Sequence, residues 1–187
     1  DFLNDLATRS KPIAEEEVTA LRAFAKETAG MDSLSAWDMT YFAEKLRQQR
    51  YAISQEEVKQ YFPESKVVPG LFAVVNKLYG LDNKERHDVE VWHPAVRFFD
   101  IFDANGELRG QFYLDLYARN HKRGGAWMDE CLVHRQTTVG LQTPVAYLTC
   151  NFSEPLGDKP ALFTHDEVTT LFHEFGHGLH HMLTKIH

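Results

Sequence analysis

Val96-Arg97-Phe98-Phe99-Asp100-Ile101-Phe102-Asp103-Ala104-Asn105-Gly106-Glu107-Leu108-Arg109-Gly110-Gln111-Phe112-Tyr113-Leu114-Asp115-Leu116-Tyr117 is the stretch that turns an otherwise helical chain into an α+β one. Residues 96–102 are mostly β-branched or aromatic, which suits a strand. Asp103-Ala104-Asn105-Gly106 then reads as a tight turn, because Asn-Gly tolerates the positive φ that hairpins need. Residues 108–117 alternate in part and form the antiparallel partner. The turn is not a calcium loop. With Gly106 at loop position six, Ile101 and Phe112 fall on the first and last ligand positions, and neither can bind calcium.

Upstream of this hairpin the chain is helical. Residues 13–28 follow Pro12 and carry Glu15, Glu16 and Glu17 in the first turn, where negative charge suits the helix dipole. Gly30 ends the helix. Ser35-Ala36-Trp37-Asp38 has capping-box spacing and opens a helix to about Tyr51. That helix sets Trp37, Tyr41, Phe42 and Leu46 on one side, as core-filling residues. Ser54-Gln55-Glu56-Glu57 caps a short helix stopped by Pro63, and residues 67–79 form another, ended by Gly80. The character changes near Asp88, with Val89 and Val91 leading into the strands. The expected division is a helical scaffold over residues 1–87 and a sheet with a final helix over residues 88–187.

Downstream, residues 118–128 form a basic, glycine-containing loop, solvated or substrate-lining, without the GxxxxGK[ST] frame of a phosphate cradle. Residues 131–136 and 145–152 read as two further strands, and residues 153–160 as a loop. The segment 145–152 either presents an open edge, to which an extended peptide would add a strand, or is an internal, paired strand. Cys131 and Cys150 form no CxxC pair and are expected as free thiols.

Across all 187 residues, 43% hydrophobic and 25% charged content is ordinary for a globular chain, and 13 Phe, 7 Tyr and 3 Trp give it a core to bury. A net charge of −7 argues against a nucleic-acid partner. No apolar run approaches the ~18–20 residues that span a bilayer.

The chemistry is concentrated in the last helix. Thr164-His165-Asp166-Glu167 is a T-x-x-E capping box, so the helix should start near His165. Within it lies His173-Glu174-Phe175-Gly176-His177, an H-E-x-x-H motif that arises by chance on the order of once in a hundred chains of this length. Residues four apart share a helix face, so His173 and His177 can each bring a ring nitrogen to about 2.0–2.1 Å from one zinc ion. Glu174 would stand beside the metal as general base toward a water that zinc makes acidic. A catalytic zinc needs a third protein ligand. The H-E-x-x-H-x-x-G-x-x-H frame fails, with His180 in place of Gly and Leu183 in place of His. His180 has nearly the azimuth of His173 but sits about 10 Å further along the axis, so it closes the shell only with strain. His180 and His181 read as polar lining or surface. The role of His165 stays open.

At these residues the chain resembles the thimet-oligopeptidase family of zinc metallopeptidases. The likeness extends to residues 112–119 and 122–127, to Pro144-Val145-Ala146-Tyr147-Leu148-Thr149-Cys150-Asn151-Phe152, to residues 162–168, and to Val91-Trp92-His93-Pro94 with Val96-Arg97-Phe98-Phe99. The resemblance implies a zincin-like α+β fold, mostly α-helical, with a small antiparallel or mixed sheet next to the zinc helix. It implies a cytoplasmic metalloendopeptidase acting on short peptide substrates inside a channel, with no nucleic-acid or membrane partner. It makes His173 and His177 zinc ligands and Glu174 the general base. It puts the third ligand, a Glu, roughly two dozen residues past His177. The sequence opens on Asp1 and closes on His187 with no stop signal. The expectation is therefore an incomplete catalytic core, whose partner is the remainder of the parent chain. Zinc binding would be weak or absent in this piece, and activity would belong to the parent. The alternative is a non-catalytic peptide-binding or structural fragment.

Overall fold

The computed structural model describes residues 1–185, so His187 lies outside the described residues. The chain divides into two compact units, residues 1–57 and residues 58 onward. None of the described helices is long and apolar enough to cross a membrane.

The first unit is helical. Helix α1 runs Phe2–Ala29 and ends at Gly30, whose φ of +67° is the left-handed geometry glycine adopts without strain. It starts well before residue 13. Pro12 lies inside it, costing the Thr8 carbonyl its helical donor without breaking the run. Side chains of Thr8 and Ser10 donate back to the carbonyls of Asn4 and Leu6. Helix α2 spans Ala36–Tyr51, with the Ser35 amide donating to the Asp38 carboxylate at 2.9 Å. Leu21, Phe24, Ala25 and Phe42 form a small core. Trp37 is 82% exposed and Tyr41 is also exposed, so the expected aromatic face is only partly a core face. The side of the helix that meets α1 is centred on Phe42, which rotates Trp37 and Tyr41 outward.

The short helix α3, Gln55–Val58, leads by a 3₁₀ turn to helix α4, Glu64–Tyr79. A five-stranded sheet follows: β1 Asp82–Arg86, β2 Arg97–Phe102, β3 Leu108–Tyr117, β4 Trp127–Leu132, and a long strand Val145–Phe152. Between β4 and that strand lies a small separate hairpin, β5 Arg135–Thr137 with β6 Gly140–Gln142, which makes the long strand β7. The sheet order is β1-β2-β3-β7-β4. All neighbours are antiparallel except β3 and β7, so the sheet is mixed. The β2–β3 turn forms as the Asn-Gly signal requires: Gly106 has φ +79°, and the Asp103 carboxylate accepts from the amides of Asn105 and Glu107.

Three strand expectations change. The sheet starts at Asp82, and Val89 and Val91 lie in an irregular connection. Strand β1 is Asp-Asn-Lys-Glu-Arg, a charged edge strand of the kind that discourages further pairing and leaves no apolar pattern to read. The expected strand at 131–136 is instead β4, ending at Leu132, because Trp127 and Met128 pair with Thr149 and Leu148. Finally, β7 is not an open edge. It lies between β3 and β4, and β4 is the edge.

Helix α5, His165–Met182, packs with α4 on one face of the sheet. Thr164 Oγ1 accepts from the Glu167 amide, and the Thr164 amide donates to the Glu167 carboxylate at 2.8 Å. Phe72 of α4, Phe99 and Phe112 of the sheet and Phe175 of α5 interlock as one aromatic cluster. Two glycines set how close α5 lies. A Cβ at Gly178 would stand 2.9 Å from Leu148 Cδ2, and one at Gly110 would stand 2.6 Å from Met182 Cβ. The opposite face carries a ladder of Phe98, Tyr113, Tyr147 and Trp92.

Candidate active site

One turn of α5 brings the two motif histidines together. Their Nε2 atoms are 3.1 Å apart, with ring planes at 85°. Two imidazole nitrogens on one tetrahedral ion, each at about 2.05 Å, would be separated by about 3.3 Å. The pair therefore fits a shared cation, with both rings exposed toward it. Among the described residues no third His, Cys, Asp or Glu joins them.

Glu174 points the other way from solvent. It is 9% exposed, and no hydrogen bond or ion pair engages its carboxylate among the described residues. An unpaired buried carboxylate is unfavourable for folding. It lines a cleft of about 640 Å³ between α5 and the edge strand. One wall is Ala126, Trp127, Met128 and Glu130; the other is Glu174, His177, His180 and His181.

The remaining histidines separate by role. His165 packs edge-on against Phe62 at the helix start, away from the motif pair. His180 lines the cleft. His181 is nearly buried, with Nε2 at 3.0 Å from the Leu132 carbonyl and Nδ1 at 3.5 Å from Glu130, so it ties α5 to β4. Both cysteines are free thiols. Burial pushes the Cys150 thiol up to about 12, so it is protonated and unsuited to bind metal at neutral pH.

Sequence reasoning placed Trp127 and Met128 in a solvated or substrate-lining loop and missed that they start strand β4. Its signal was Trp127-Met128, an apolar pair one residue past Gly124-Gly125. It also missed an ion cluster at the end of β3. Asp115 accepts from both terminal nitrogens of Arg119, at 2.7 and 2.8 Å, from Lys122 at 2.8 Å and from the Trp92 indole at 3.2 Å. Burial alone would raise the Asp115 pKa, but the bonds from Arg119 and Lys122 outweigh it and hold the carboxyl below its ordinary value.

The family model for peptidase family M3 matches residues 1–187. Oligopeptidase A of Salmonella typhimurium and that of Escherichia coli are each 63% identical over 187 residues, 100% of this chain and 28% of theirs. Oligopeptidase A of Haemophilus influenzae is 54% identical over the same share. The chain thus spans 28% of the length of these curated relatives. The family match covers residues 1–187, and the chain belongs to peptidase family M3.

Proposed function

We propose that this chain contributes the first part of the catalytic core of a zinc-dependent endopeptidase that hydrolyses short oligopeptides in the cytoplasm. The observation that carries the reading is the pairing of two converging imidazoles with an unpartnered, buried Glu174 on a cleft wall. In this reading residues 88–187 hold the catalytic elements and residues 1–87 are scaffold. His173 and His177 hold zinc, which when bound supplies Lewis-acid polarisation of the scissile carbonyl and makes a water more acidic. Glu174 takes the proton of the attacking water and delivers it to the leaving amine. The cleft between α5 and the edge strand excludes bulk water from one side of the peptide.

The third ligand is a carboxylate supplied from outside this chain. The family membership, the 28% span of the relatives and the lack of a third ligating group beside the histidine pair among the described residues favour this. The purified 187-residue chain is therefore expected to bind zinc weakly and to leave a quenched fluorogenic peptide uncut. A full-length peptidase in which this chain replaces the matched 187 residues of the Escherichia coli relative is expected to cut it. Zinc-dependent turnover by the isolated chain, abolished by Glu174→Ala, would show that the chain is self-sufficient and overturn the need for an external ligand.

A further inference from the structure

The wall of the cleft opposite Glu174 is the start of β4, entered from the loop that ends at Ala126. Residues 118–126 connect β3 to β4. His121 has φ +65° and Gly125 has φ +90°, and the first is a left-handed geometry that a side chain disfavours. What keeps the loop in place comes from the ends of β3 and β7. From β3, Asp115 is 3% exposed and its two oxygens receive the four contacts described above. Lys122, with 5% of its side chain exposed, spends its other two donors on the carbonyls of Asp115 and Tyr117, at 3.0 and 2.7 Å. From β7, the Asn151 amide donates to the carbonyls of Arg123 and Gly125, both at 2.7 Å. The Arg123 guanidinium then lies over the Trp127 ring, 5.1 Å from its centre.

These contacts converge on one result. Asn151 grips the two residues on either side of Gly124. The chain then passes directly through Ala126, Trp127 and Met128 into the cleft. We infer that Asn151 and Asp115 are positioning residues of the peptidase: they clamp residues 118–126 so that the start of β4 stands as a fixed wall facing Glu174. The inference rests on the reading of that cleft as the peptide site. Neither residue touches the reacting atoms. Each acts through the loop, so releasing it should weaken substrate binding more than it slows the chemistry.

Asn151→Asp is the sharpest test, because it keeps the shape and replaces the donor by an acceptor facing two carbonyls. Asn151 is only half-buried, so the fold tolerates the change better than at Asp115. In the full-length peptidase carrying this chain, Asn151→Asp is expected to raise KM for the fluorogenic peptide about 5- to 10-fold. The kcat should stay within about twofold and zinc content should be unchanged. Amide hydrogen exchange across Trp127–Leu132 should speed up, in the isolated chain as well. Asn151→Ala should match it, and Asp115→Asn should exceed it, since Arg119 and Lys122 then face each other without a counter-charge. An unchanged KM, or unchanged exchange in β4, for Asn151→Asp overturns the clamp even if Asp115→Asn fails to fold. A Glu174→Gln control separates the two ideas. If that control loses less than tenfold in kcat, the cleft reading fails, while the exchange result still decides whether Asn151 holds the loop.

Discussion

Glu174→Gln in the full-length peptidase carrying this chain is expected to lower kcat by about 10²–10⁴-fold, the usual contribution of a positioned general base. That corresponds to about 3–5 kcal/mol of lost transition-state stabilisation. Glutamine keeps the size and the buried placement but cannot take a proton. In the proposed role Glu174 acts on the water and not on the bound peptide, so the loss should fall on kcat rather than KM. Zinc content should stay the same, since in the proposed site the two imidazoles, and not this carboxylate, hold the metal. Steady-state kinetics with a quenched peptide, alongside metal analysis, measures both. A loss smaller than tenfold, or a loss of zinc in parallel with activity, would remove Glu174 from the base role.

Phe112→Ala is expected to cost about 3–5 kcal/mol of folding free energy. Phe112 is 0% exposed, stacks on Phe99 with centroids 5.0 Å apart, and meets Phe175 edge-on at 5.4 Å. Truncation opens a cavity in the centre of the cluster that joins α4, the sheet and α5. A small domain's whole stability is about 5–15 kcal/mol, so this is a large share of it. The effect reaches the site, because Phe175 lies inside the motif between Glu174 and His177. Urea unfolding of the chain measures it, with Trp37→Ala as the contrast. Trp37 is exposed, and its loss should change stability by no more than about 0.5 kcal/mol. A Phe112→Ala midpoint close to that of the parent chain would mean the aromatic cluster is not the core.

What could be read from the residues follows the range of the forces involved. The α5 start at Thr164, its reciprocal bond with Glu167 and the facing of His173 with His177 depend on separations of three and four residues, so the sequence carries them directly. The β2–β3 hairpin is similarly local. The order of strands is not. Val145–Phe152 is mostly apolar, the signature of a strand covered on both faces, yet its partners lie 13 to 22 residues away on one side and about 34 on the other. Strand β1 was invisible because its edge position selects charge over alternation. The clamp on residues 118–126 was invisible for a different reason. Asp115, Lys122 and Asn151 look like ordinary polar residues until β3 and β7 pair in parallel and bring their ends to the same loop. The helix α1 start was misplaced because Pro12 suits a first turn, and only its exposed, self-bonded neighbours carry the helix further back.

The central claim is that His173 and His177 are two of the ligands of a catalytic zinc. Zinc K-edge X-ray absorption on the zinc-loaded, full-length peptidase carrying this chain tests it most directly. The account predicts two imidazole nitrogens at about 2.0–2.1 Å with oxygen donors completing the shell, and loss of that shell in the His173→Ala, His177→Ala double variant. A sulfur shell at about 2.3 Å, or a zinc spectrum unchanged in the double variant, would contradict it.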